Sequence, residues 1–121
     1  MDIDTYRRLA LRTAPATPNR LVDIDHAALG IGGASGEILD HVKKVLHNGR
    51  ELDENHLIAE VGDIMWYLNL LVFSLNTTWS RVLRTNIAKL EARYPDLKFD
   101  VDKALNRNLG AEKDAMERAA Q

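Results

Sequence analysis

Apolar residues recur along most of this chain at three- and four-residue spacing, and no segment alternates apolar and polar positions as a half-buried strand would. The pattern predicts a first helix from about Ile3 to Thr13, with Tyr6, Leu9 and Ala10 on one side. Pro15 and Pro18 end it, because proline inside a helix removes a backbone bond. A second helix is predicted from about Leu21 to His47. Its middle holds Gly30, Gly32, Gly33 and Gly36, each costing roughly 0.8–1.0 kcal/mol of helix propensity against alanine. Four glycines so close together predict either a kink or very close helix packing. Asn48-Gly49 supplies the stop, since both tolerate the left-handed conformation.

Asp53 is a good N-cap for a third helix, roughly Glu54 to Leu75, with an acidic Glu54 in its first turn. Asn76-Thr77-Thr78 forms a short turn, and Thr77 or Thr78 caps a fourth helix running to about Tyr94, where Pro95-Asp96 ends it. From Phe99 onward Val101, Ala104, Leu105 and Leu109 return to helix-compatible spacing. The expected fold is all-α: one domain, residues 1–121, built as a bundle of four to five helices. Its core lies at about 20–95, with a C-terminal helical tail at 99–121.

Apolar residues wrap nearly all round the third helix, so it is expected to be central, with neighbours on most sides. Its stretch Leu57 to Leu75 is apolar enough to suggest a membrane span, but it carries Glu60, Asp63 and Asn69. An acidic residue at mid-membrane costs roughly 2.5–3.5 kcal/mol, so a buried helix of a soluble protein is the better reading. A domain of this size does not cover such a helix fully. A homodimer or homotetramer, with this helix near an interface, is therefore expected.

Composition narrows the classes further. Hydrophobic residues make 45% and charged residues 28% of the chain, a globular balance rather than a disordered one. The net charge of -2 supplies no basic field, and no helix reads as a basic recognition element, which argues against nucleic acid as a partner. Cysteine is absent, excluding disulfides, thiolate zinc sites and a cysteine nucleophile. Together with a start, Met1-Asp2-Ile3-Asp4, that lacks the pattern of a signal peptide, this suits a cytoplasmic location.

The candidate chemistry lies in carboxylates. Glu60 and Asp63 stand at i, i+3 on the apolar third helix, one turn apart on one face. Unpaired carboxylates buried together repel, and a cation or a donor array must compensate them. Glu37 and Asp40 repeat the pair on the preceding helix. A short connection makes the two helices antiparallel, so the pairs can face each other. Hard oxygen ligands converging from two helices suit Mg²⁺ or Mn²⁺ rather than Zn²⁺. The plainer alternative makes these ordinary solvent-facing acids, with Asp40 pairing Lys43 or Lys44.

These residues resemble the all-α nucleoside triphosphate pyrophosphohydrolases of the MazG-like superfamily, especially its short phage and bacterial members. That family carries Glu-x-x-Glu on one helix and Glu-x-x-Asp on the next. Here Glu60-Val61-Gly62-Asp63, within EVGDIMWYL, matches the second half, and Glu37, in GASGEILDHVKK, holds the second acid of the first. The likeness continues through NIAKLEARYP (Asn86 to Pro95) and ALNRN (Ala104 to Asn108), from about Thr13 to Glu112 in all. It implies four acidic metal ligands, but position 34, where the family has glutamate, is Ala34. Glu37, Glu60 and Asp63 remain, with Asp40 one turn further along the same face as a partial substitute.

The resemblance implies Mg²⁺-dependent hydrolysis of a nucleoside or deoxynucleoside triphosphate to monophosphate and pyrophosphate, with Mn²⁺ as a possible replacement. Glu37 or Glu60 would then help deprotonate the attacking water. Asn86, Lys89 and Arg93, at i, i+3 and i+7, look like the family's nucleotide-contacting stripe. Alternatively they form a solvated face on which Lys89 or Arg93 pairs with Glu91 or Asp96. Trp66 and Tyr67 read as core before base-stacking platforms, and His26 as a packing residue. Two rivals keep the fold without the chemistry: a nucleotide-binding module impaired at Ala34, and a helical oligomerisation domain.

Overall fold

The computed structural model describes residues 1–15 and 17–121, and every regular element among them is an α-helix. Ala16, inside the expected proline break, lies outside the described residues. The helices are α1 (Ile3–Leu11), α2 (Arg20–Asn48), α3 (Glu54–Ser74), α4 (Trp79–Arg93), α5 (Val101–Leu105) and α6 (Leu109–Ala120). The tail therefore divides in two, where the sequence suggests one helical stretch. Asp100 and Asn108 each cap a new start, their side chains accepting from the backbone N–H of Lys103 and Ala111.

The remaining helix starts follow the same chemistry. Asp2, Asn19, Asp53 and Thr78 cap α1, α2, α3 and α4 with side-chain oxygens. Gly49 closes α2 in the left-handed conformation at φ 69°. The glycine-rich middle of α2 does not break the helix, which runs unbroken for 29 residues. At Gly30 the reason is close packing, because a β-carbon there would collide with the Tyr67 ring. At Gly32, Gly33 and Gly36 the surroundings are open.

Two compact units divide the chain, residues 1–76 and 77–121. In the first, α2 and α3 run antiparallel and meet in rows. Gly30 lies against Tyr67, Glu37 comes near Glu60, and His41 stacks edge-on with His56. The α1 end is tied to α3 by Asn69 Nδ2 donating to the Arg7 carbonyl at 3.3 Å and Trp66 Nε1 donating to Thr13 Oγ1 at 2.8 Å. Arg20 Nε donates to the Ser74 carbonyl, pinning the start of α2 to the end of α3.

Burial in this unit centres on Ala10, Ala27, Ala34, Leu70 and Val72. The all-round burial expected for α3 is not reached within one chain. Its C-terminal half supplies the buried residues, whereas Ile58 is 67% exposed and Val61 is exposed beside it.

In the second unit α4 packs on α6. Glu112 of α6 is 2% exposed, and an unpaired carboxylate so buried would be costly. Two arginines satisfy it. Arg93 donates from Nε and Nη2 at 2.8 and 3.2 Å, and Arg107 donates from the same two positions at 3.1 and 2.6 Å.

Candidate metal centre

Helical spacing brings the acids of α2 and α3 together. Glu37 stands one turn beyond Ala34, and Glu60 one turn beyond His56, on facing sides of the antiparallel pair. Candidate ligand atoms of Glu37, His56 and Glu60 all lie within 4.8 Å of one another. The Glu60 side chain is only 14% exposed, while that of His56 is 37% exposed, so the group lies at a half-covered surface. His56 Nδ1 is 3.9 Å from Glu60 Oε1, too far for a hydrogen bond.

The histidine is held from behind. Its ring meets the buried His41 ring edge-on, with centroids 5.2 Å apart. His41 Nε2 in turn accepts the backbone N–H of Asp53 at 2.9 Å, so that nitrogen carries no proton. Asp53 also caps α3 by accepting the backbone N–H of His56 at 2.9 Å. One short connection thus fixes both helices at the level of the site.

Asp63 lies one turn further along α3, outside the triad of close donors. With Glu37, Glu60 and Ala34 it lines a cavity of about 490 Å³ whose far end is His26 and Tyr67. Ala34 is 7% exposed and contributes no donor to that row. Asp63 faces α1 electrostatically: burial, and then its carboxylate, push the Tyr6 phenol above its ordinary range. His26, Trp66 and Tyr67 pack as a tilted and edge-on aromatic group, with centroids 5.2–5.9 Å apart.

Asp40 faces a second cavity, of about 820 Å³, which it shares with Glu37, Lys44 and His56. Its carboxylate is engaged by Lys44 at 2.6 Å and Lys43 at 3.7 Å, the pairing weighed from sequence. The Lys44 hydrogen bond holds its carboxyl below the usual range. In the second unit, Asn86 and Lys89 line a cavity of about 340 Å³ with Arg81, Thr85 and Met116. Arg93, the third member of that stripe, is bound to Glu112 rather than to Glu91 or Asp96.

The donor set suits a divalent cation. Two ligand atoms on one ion at about 2.0–2.2 Å lie at most roughly 4.4 Å apart, so small side-chain rotations would close the triad on it. Sequence reasoning passed over His56, although it stands four residues before Glu60 and so on the same face.

Residues 29–98 match the MazG nucleotide pyrophosphohydrolase domain, a span that takes in Glu37, His56, Glu60, Asp63, Asn86, Lys89 and Arg93. Gene 37 protein of Mycobacterium phage L5 is 34% identical over 101 residues, covering 77% of this chain and 89% of that protein. No solved structure matches the chain.

Proposed function

Because the chain belongs to the MazG nucleotide pyrophosphohydrolase domain family, we propose that it hydrolyses a nucleoside or deoxynucleoside triphosphate to the monophosphate and pyrophosphate. The carrying observation is the approach of Glu37 and Glu60 from two helices to within 4.8 Å of each other. A divalent ion held there, Mg²⁺ or Mn²⁺, would neutralise phosphate charge and make water a better nucleophile. Either glutamate can hold the ion through one oxygen and leave the other to accept a proton from the attacking water. Asp63 is the further acidic ligand, one turn along the same face. Asp40 stays in reserve while its lysines hold it.

Asn86 and Lys89 are the candidate nucleotide contacts, Lys89 by charge-assisted bonds to phosphate. Arg93 joins them only if it can leave Glu112 or share it. A second copy of the chain is the natural cover for Ile58 and Val61, making the working form a homodimer or homotetramer. In this reading the enzyme is cytoplasmic, with neither nucleic acid nor membrane as partner.

Ala34 favours one competing reading, an impaired family member that binds nucleotide or serves as an oligomerisation module. Product analysis with each common NTP and dNTP, in Mg²⁺, Mn²⁺ or EDTA, separates the two. Metal-dependent monophosphate plus pyrophosphate, lost in a folded Asp63→Asn variant, is the expected result. A folded oligomer with no turnover on any of them would establish the rival.

A further inference from the structure

We propose that His56 is a metal ligand beside Glu37 and Glu60. These three gathered donors form the core of the centre, with Asp63 one turn further along α3 as its more distant acid, and the site takes a transition-metal ion such as Mn²⁺ or Co²⁺ in preference to Mg²⁺. The proposal rests on the reading that this family member uses a divalent ion between α2 and α3, and it assigns that ion's ligands.

The rows of the antiparallel pair carry the argument. In the row of Ala34, an alanine faces the cavity that Asp63 lines, so that level offers a single carboxylate. The next row supplies Glu37 and Glu60. On its other side the row of His41 and His56 supplies an imidazole, and the three donors gather within 4.8 Å while Asp63 stays outside. The missing acid at one end is matched by a histidine at the other.

His56 is also disposed as a ligand would be. Its Nδ1 lies 3.9 Å from a Glu60 oxygen, beyond hydrogen-bond range yet at the spacing of two atoms sharing one ion. Its ring is braced by His41, and His41 by the Asp53 N–H. That support is a ring contact, which restricts the orientation of the His56 ring without a hydrogen bond to it. Two carboxylates and one neutral imidazole balance a divalent charge. Mg²⁺ favours oxygen alone, whereas imidazole suits the first-row transition metals, whose affinity rises from Mn²⁺ to Co²⁺.

The test uses the full chain with MnCl₂, CoCl₂ and MgCl₂ as probes. Calorimetric titration of wild type, His56→Ala and His56→Gln gives the affinities. Pulsed electron paramagnetic resonance of the Mn²⁺ complex, with ¹⁵N-histidine labelling, reads nitrogen ligation directly. Expected are a histidine nitrogen coupling in wild type, its loss in both variants, and a fall in Mn²⁺ affinity of about tenfold or more, with Mg²⁺ affinity changed much less. A wild-type Mn²⁺ complex without nitrogen coupling, a coupling that survives His56→Gln, or an equal loss for Mn²⁺ and Mg²⁺ would overturn the proposal. Hydrolysis by a protein lacking the coupling removes His56 alone. The coupling in a protein without turnover keeps the site and removes the enzymatic reading.

Discussion

The ring of Tyr67 fills the space that a β-carbon on Gly30 would need, so α2 and α3 meet there with ring against backbone. Gly32, two residues further along the same helix, faces open space. Gly30→Ala should therefore destabilise the protein. An overpacking cost of about 1–3 kcal/mol opposes a propensity gain of about 0.8–1.0 kcal/mol. Gly32→Ala should stabilise by up to about 1 kcal/mol. Urea unfolding midpoints decide it. Equal stabilisation by both changes would mean that the Tyr67 ring yields freely.

Glu112 yields a prediction about acid. Hydrogen bonds from Arg107, then Arg93, hold its carboxyl at about 2, below the ordinary value of 4.5. Its contribution to stability is thus complete above pH 4.5 and drains away as the pH falls from there toward 2. Glu112→Gln should lower the thermal midpoint at pH 7, with the gap from wild type narrowing over that window. A gap constant with pH would show that the arginines do not depend on the carboxylate's charge.

At Ala34 the prediction is a gain. A glutamate there would face the cavity lined by Glu37, Glu60 and Asp63. Ala34→Glu should tighten Mg²⁺ binding by about tenfold, equivalent to about 1.4 kcal/mol, and raise turnover with Mg²⁺. Calorimetry and product formation check both. Unchanged Mg²⁺ affinity in a folded variant would remove Ala34 from the ligand row.

Asp40 separates two roles cleanly. If its carboxylate serves only Lys43 and Lys44, these solvent-screened pairs add little to stability and Asp40→Asn leaves metal affinity within about twofold. A tenfold loss of affinity at unchanged stability would make it a ligand instead.

Much of this was legible in the residues. The caps Asp53 and Thr78, the stop at Gly49 and the pairing of i, i+3 acids on two neighbouring helices are local features, and local chemistry is written in the sequence. The glycines of α2 announced close packing without saying which one makes it. Only Gly30 does, because that choice depends on which residue of α3 lies opposite. The split of the tail into α5 and α6 turned on Asn108, an adequate cap inside helix-compatible sequence. His56 went unread because an imidazole among acids becomes a donor only once a facing helix brings Glu37 to it. For Arg93, read from sequence as a phosphate contact, the neighbours Glu91 and Asp96 are the alternative partners, whereas the acid it meets, Glu112, lies 19 residues away on another helix.

The connection from Gly49 to Asp53 is clipped at both ends, by the left-handed glycine and by the bonds of Asp53 to His41 and His56. It works as a ruler. Arg50, Glu51 and Leu52 are all exposed, so their identities are free to vary while their number is not. A residue inserted there must either bulge outward or pull Asp53 off His41 and His56, and the second course loosens the register that sets Glu60 against Glu37. Natural variation at this stretch should accordingly be rich in substitutions and poor in changes of length.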